Sequence, residues 1–327
     1  EFCHLAGTDG NLCSRSSCFA GDENLMASTA LALIQSISGE LGLSVPSAVF
    51  TSSVTDIVQM RNLLNAVGKE LAREYEWQAL AKEHRFTTVF YQYTGNSTDG
   101  STSLTGMSSI TGLDTNFMVS GTGINTDTYV SSASVTTVVI SQAATATATG
   151  TTFTFGQTIY SMPADFDRQV DRTHFDKSKR WEMLGPETGQ QWQWLKSSYI
   201  STGPRIRYRI MADKFQIWPL PATEDYLGFE YVSSYWVTAT GGSSPTKTAF
   251  SVDTDTCVFP DRLMVLGVKL KYFEIKGFDT TAFYRDYQRH LSLSKAADAG
   301  SPSLSMAPRM ADVLIGWENI PDSNLGS

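Results

Sequence analysis

The chain offers little to metal, redox or nucleic-acid chemistry. It has only four cysteines in 327 residues: Cys3, Cys13 and Cys18 crowd at the start and Cys257 stands alone, so no evenly spaced disulfide framework is legible. A metal set drawn from Cys3, His4, Cys13 and Cys18 lacks the paired Cys-x-x-Cys spacing of zinc sites. The histidines, His4, His84, His174 and His290, share no helical turn and no ligand-like spacing. Basic charge is in deficit, with 25 Lys and Arg against 33 Asp and Glu, a formal charge of -8 and a pI near 5.1. A dedicated nucleic-acid binder ordinarily carries the opposite excess, which displaces counterions from phosphate. Long apolar runs are also missing: Ala30 to Ile37 is interrupted by Ser38, Gly39 and Glu40, well short of the roughly 18 to 20 residues that span a bilayer. No Gly-x-Ser-x-Gly elbow, P-loop or dinucleotide fingerprint occurs, and "GTGIN" at 121 to 125 reads as a turn. The carboxylate neighbours Asp165 with Asp167 and Glu224 with Asp225 define no cleft. The expectation is a non-enzyme with no cofactor, no metal and no membrane contact.

What is present is enough apolar residue, 41%, for a real core and more than one folding unit. Residues 1–25 are polar, rich in Gly and Ser and without periodicity; they are read as a leader outside the folded chain, with Met26 as its natural start. From Met26 to Leu43, Leu31, Ile34, Ile37 and Leu41 recur at helical steps, and Gly42 supplies a stop. A second helix starts near Thr55 and Asp56 and carries Ile57, Met60, Leu64, Val67, Leu71 and Tyr75 to about Trp77 or Leu80. The period changes at Arg85, where "RFTTVFYQYT" is β-rich. From Gly95 the composition shifts to Thr, Ser, Gly and Val with few charges, and "NFMVSG", "TYVSS" and "TTVVISQ" read as short strands of a separate β module. Such an insertion leaves Gly95 near Thr151, so that the flanking strands can pair. A second, aromatic-rich β region follows, and "VFPDRLMVLGVKLKYFEIKGFDTTAFYRDYQRHLSLSKAAD" returns to helix with a break at Gly277 and Asp279.

The segment "GPRIRYRIMADKFQIWPLP" places Arg205, Arg207 and Arg209 in strict alternation, so they share one strand face while Ile206, Tyr208 and Ile210 share the other. Ala-Asp then centres a turn, and Phe215, Ile217 and Trp218 begin a return strand that Pro219 and Pro221 end. Such an arginine row can bind phosphate, pair with carboxylates, or stay solvated. In "DYLGFEYVSSYWV", Glu230 is a candidate cross-strand partner for an arginine. Trp192, Trp194, Trp218 and Trp236 are read as core or interface anchors.

The order of "EYEWQAL", "RFTTV", "YSMPADFDRQVD", "RYRIMADKFQIWPLPATEDYLGFEYVSSYWV" and "FSVDTDTCVFPDRLMVLGVKLKYFEIKGFD" resembles the head-to-tail adaptor, or connector, proteins of tailed bacteriophages, particularly the short-tailed type, over residues 26–94 and 152–298. The resemblance implies an α+β chain, a helical bundle carrying an antiparallel β lobe, here with an added small all-β insertion domain. Its expected divisions are a leader (1–25), N-terminal helices with the first strand (26–94), the inserted β module (95–151), the β lobe (152–236), returning helices (237–298) and an extended tail (299–327). It further implies a ring, usually twelvefold, at the virion neck, assembled in the host cytoplasm. The partners would be the portal protein, the tail nozzle or tube, other copies of the chain, and genomic DNA passing through without sequence-specific binding. The interface residues expected on this reading are Arg205, Arg207, Arg209, Trp218, Glu230, Tyr235, Trp236, Arg309 and Trp317. A second reading makes the chain a glycan-binding or adhesion protein acting through its Thr-rich β module.

Overall fold

A computed structural model of the chain describes residues 28–199, 205–221 and 223–299. Its helices are α1 (Ala30–Leu41), α2 (Thr55–Glu74), α3 (Gly189–Trp194), α4 (Asp261–Lys276) and α5 (Thr281–Ala299). The first strands are β1 (Ala81–Thr87), β2 (Phe90–Ser97), β3 (Ser103–Leu104), β4 (Met118–Ser120), β5 (Thr128–Ser134), β6 (Thr137–Ile140) and β7 (Ala148–Gly156). They are followed by β8 (Ile159–Ser161), β9 (Phe166–Gln169), β10 (Phe175–Asp176), β11 (Trp181–Glu182), β12 (Arg207–Met211), β13 (Lys214–Trp218), β14 (Tyr226–Ser233), β15 (Val237–Thr238) and β16 (Thr256–Cys257). Mixed helices and antiparallel sheets make this an α+β chain. Its described residues fall into two compact units, one from the stretches 28–69 and 235–280, the other from 70–234 and 281–299.

The first unit is helical with a small two-stranded ladder. α1 begins where the Thr29 hydroxyl accepts from Ala32 N at 3.2 Å and ends at Gly42, whose left-handed φ of 69° only glycine adopts without cost. Its Leu33, Ile34 and Ile37 are buried, as are Met60, Leu64 and Val67 of α2 and Leu263, Met264 and Val268 of α4. Gly68 is the close-approach point: a Cβ there would sit 2.1 Å from the Trp236 ring. Asp255, fully buried, ties the 247–255 loop by accepting from Lys247 Nζ at 2.8 Å and from the backbone of Ser251 and Val252. Cys257 is buried beside the Phe259 carbonyl, and burial pushes its thiol up to about 12, so it acts as a small apolar side chain.

In the second unit, β1 begins at Ala81 rather than at Arg85. The strand is defined by its antiparallel register with β14, from Ala81 opposite Val232 to Thr87 opposite Tyr226, not by an apolar alternation of its own. Strands β2-β7-β4-β5-β6-β3 form one antiparallel sheet, and Asn96 and Thr105 exchange backbone hydrogen bonds of 2.8 and 2.9 Å. That bridge joins the last strand back to the first and closes the sheet into a barrel. Leu104, Val119, Val130, Val138, Phe153 and Phe155 fill it at 2% exposure or less. Gly95 lies opposite Thr151 in the β2–β7 ladder.

The rest of this unit is a β lobe of two sheets. One is β12-β13-β8; in the other, β1-β14-β10-β11, β9 also pairs with β14. Tyr208, Phe215 and Ile217 of the first sheet share one core with Leu227, Phe229 and Tyr231 of the second. The rings of Tyr208, His174, Phe215 and Phe229 lie nearly parallel, at interplanar angles of 16° or less. α5 meets the end of α2 through Lys295 Nζ, which is 3.2 Å from Glu74 Oε1 and lies over the Tyr75 ring.

Candidate functional site

The arginine segment forms the hairpin that its alternation implies. β12 and β13 pair from Arg207 opposite Trp218 to Met211 opposite Lys214, and Ala212 and Asp213 turn the chain with φ of 51° and 55°. Positive φ at both central residues matches the twist of the flanking strands. Directly opposite residues share a face, so Arg207, Arg209, Met211, Lys214, Gln216 and Trp218 stand on one side of this sheet and Tyr208, Ile210, Phe215 and Ile217 on the other. Arg205 lies in a bend before β12 and is exposed, so the row of three expected from alternation is a row of two within the strand. The preceding segment explains this: Leu184 runs parallel beside Arg207, donating to Ile206 O and accepting from Tyr208 N, both at 2.9 Å.

The three guanidiniums differ in what they meet. Arg207 Nη1 donates to Glu187 Oε1 at 2.8 Å, and the Glu187 side chain is 8% exposed. Arg209 lies over Gly189, its guanidinium nitrogens 3.4 Å from where a Cβ would stand. No hydrogen bond or ion pair ties Arg205 or Arg209 to another side chain among the described residues.

Thr188 and Gln191 form a capping box that starts α3 between Glu187 and the hairpin face, with Gln191 N donating to the Thr188 hydroxyl and Thr188 N to Gln191 Oε1. α3 delivers Trp192 into a cluster with Leu195, Trp218 and the barrel's Met118, each 4% exposed or less. Beside this apolar contact, Lys196 Nζ lies 3.1 Å from Asp127 Oδ1, donates to the Tyr129 hydroxyl at 3.1 Å and sits over the Tyr129 ring. Burial alone would lower the Lys196 pKa, but Tyr129 and Asp127 outweigh it and hold it above the ordinary lysine value. The barrel is therefore fixed to the lobe by both packing and charge.

The remaining expected residues are dispersed. Glu230 is exposed in β14, opposite Glu83 of β1, in a different sheet from β12; it is not the cross-strand partner of an arginine, and Glu187 takes that role for Arg207. Tyr235 and Trp236 open the return of the chain into the helical unit, where Trp236 is buried against Phe250 and Phe259. Arg309 and Trp317 lie outside the described residues. Glu187 and Lys196 were not singled out from sequence: Glu187 sits in "GPETG", where no period operates, and only the Thr188-x-x-Gln191 spacing marks the adjacent helix start.

The lobe also has two polar centres. Asp165 accepts from Tyr231 Oη at 2.8 Å and from Ser233 Oγ and Lys82 Nζ at 2.7 Å; burial would raise its carboxyl, but these donors hold it below the usual range. His174 is 1% exposed, and burial lowers its pKa to about 4, so the ring is neutral at pH 7. Its Nδ1 is 3.1 Å from the Tyr208 hydroxyl.

Residues 133–308, more than half of the chain, match the model of a family described as SU10 adaptor protein. The chain belongs to the SU10 adaptor protein family. Membership makes it a phage structural adaptor. The match starts at Ala133 within β5, takes in β6, β7 and every element from β8 to α5, and leaves α1, α2 and β1 to β4 outside it, unlike the span 26–94 with 152–298 on which the resemblance rested. No curated protein matches the chain. Among the described residues of this adaptor, no helix is long and apolar enough to cross a membrane, and no group of His, Cys, Asp or Glu is arranged to hold a metal.

Proposed function

We propose that the chain forms a homo-oligomeric ring, twelvefold by analogy of type, at the head–tail junction of a short-tailed phage virion, where it joins the portal to the tail nozzle or tube and lets DNA pass. Membership of the adaptor family carries this reading. The hairpin supports it: a ring built by head-to-tail repetition needs two different complementary patches on each subunit, and an arginine-bearing sheet face on a chain of charge -8 is one such patch. Net acidity also suits a conduit, because a lumen lined by carboxylates repels phosphate and lets DNA slide. The β barrel, read as a module inserted into the host domain, stands outside the conducting path in this scheme.

Mass photometry of the full chain, alone and mixed with portal rings of the same phage, tests the proposal. One discrete stoichiometric complex is the expected result; a chain that stays monomeric beside every portal offered overturns it. The barrel's closed sheet and private core favour one further reading, glycan binding through its Ser- and Thr-rich exterior. A glycan array probed with the full chain addresses it, and uniform background binding would remove it.

A further inference from the structure

Two of the three arginines at the hairpin are uncommitted and one is not. Arg207 is spent on Glu187, a carboxylate that is itself nearly buried, and that pair ties the 184–187 segment to β12. Arg205 is exposed, Arg209 is half-buried over Gly189, and neither meets a carboxylate among the described residues. Around them the same sheet face carries Lys214, exposed, and Met211, 44% exposed, at its open end, while Trp218 closes the other end against the barrel. This is a basic patch with an apolar spot: Arg209, Met211 and Lys214 stand on a two-residue-turn hairpin, and Arg205 lies in the bend just before it.

We propose that Arg205 and Arg209 receive carboxylates from a second copy of this chain, and that Arg207 serves the fold instead. The inference rests on the ring reading above and names the partner of that site. Charge complementarity selects a second copy: the chain has eight more acidic than basic residues, and its 95–151 stretch, which holds no Lys or Arg, contributes Asp99 and Asp114 beside Asp127, the one already paired with Lys196, so another copy presents carboxylates on a stretch without cations of its own. Guanidinium is suited to this contact because its planar fork meets a carboxylate with two parallel hydrogen bonds, and Arg209 is already oriented by its seat over Gly189.

The test uses the full chain assembled on portal rings of the same phage. With p-benzoylphenylalanine in place of Met211, irradiation is expected to cross-link one copy to another; a cross-link to portal, or none, overturns the proposal. In parallel, R205Q/R209Q is expected to keep its unfolding midpoint but lose ring yield about tenfold or more at low salt, with the salt dependence of assembly flattened. R207Q is expected to lower the midpoint, and E187Q to lower it alike. If the wild-type chain forms rings and R205Q/R209Q forms them equally well, this inference fails while the ring reading stands; if the wild-type chain forms no ring, both fall.

Discussion

The barrel and the β lobe are neighbours in one unit, yet they are stabilised by opposite means. The barrel closes its sheet on itself, fills the interior with Leu, Val, Ile and Phe, and carries no Lys or Arg between residues 95 and 151. The lobe leaves its sheets open and buries charge and hydrogen-bonding groups: Asp165 under Lys82, Tyr231 and Ser233, Asp225 under Lys179 and Thr223, and His174 among stacked rings. Closure removes edges and lets a small β unit rely on apolar burial alone. An open lobe gains register and specificity from polar pins, and it inherits their dependence on pH and on every partner being present.

That contrast breaks most directly at Phe153, which is fully buried in the barrel. Phe153→Ala is expected to cost about 4 kcal/mol, the cavity and lost transfer energy of a core phenylalanine. Urea unfolding followed by site-specific probes would show the loss confined to residues 90–156; an equal loss across the lobe would mean the two cores are one. The matching change in the lobe is Asp165→Ala. It removes the acceptor that Tyr231, Ser233 and Lys82 share, and is expected to cost about 2 kcal/mol, chiefly because the buried Tyr231 hydroxyl loses its hydrogen bond while the Lys82 side chain, 34% exposed, stays hydrated. Asp165→Asn, which keeps the shape but not the charge, should recover part of it.

pH separates the two regions without any mutation. His174 has a folded-state pKa near 4 against about 6.5 unfolded, so the unfolded chain takes up the proton first as pH falls. The stabilisation is complete above about pH 6.5 and is lost progressively towards pH 4. Between pH 7 and pH 5 the lobe is expected to lose about 2 kcal/mol on this account. His84, also lowered by burial, contributes with the same sign. Asp165 adds its own loss only at lower pH, since its carboxyl is already depressed and protonates later. The barrel holds no histidine, so hydrogen exchange at pH 7 and pH 5, expressed as protection factors to remove the intrinsic pH dependence of exchange, should show protection falling in the lobe and unchanged in the barrel. His174→Phe should flatten the lobe's response.

How much of this was legible in the sequence follows the same divide. Elements set by local rules were readable: α1 with its Gly42 stop, the Gly277 break between α4 and α5, and the hairpin centred on Ala212 and Asp213, because periodicity and turn chemistry act over a few residues. The barrel's strands could be read from β-branched runs, but not its closure, which depends on Asn96 finding Thr105. β1 was read four residues short because "AKEH" has no apolar alternation and is a strand only by pairing with β14. At the candidate site, alternation found Arg207 and Arg209 on one face but could not tell which of them is already paired. Glu187 reaches Arg207 from a turn 20 residues upstream, a distance over which sequence carries no register.

The smallest effect bears on how the two regions are joined. Met118, Trp192, Leu195 and Trp218 supply the apolar part of the junction, and Lys196 with Asp127 and Tyr129 supplies the polar part at its rim. A charge pair of which one side chain is 20% and the other 32% exposed contributes modestly beside four buried apolar side chains. Lys196→Met keeps the aliphatic stem and removes the ammonium, with its pair to Asp127 and its contacts to the Tyr129 hydroxyl and ring, so it is expected to cost about 1 kcal/mol. Trp192→Ala should cost more, since it opens the apolar contact itself. If Lys196→Met instead proves the more damaging, the barrel is mounted by charge. Its attachment would then weaken in high salt, and the division between an apolar barrel and a polar lobe would have to be redrawn at their shared boundary.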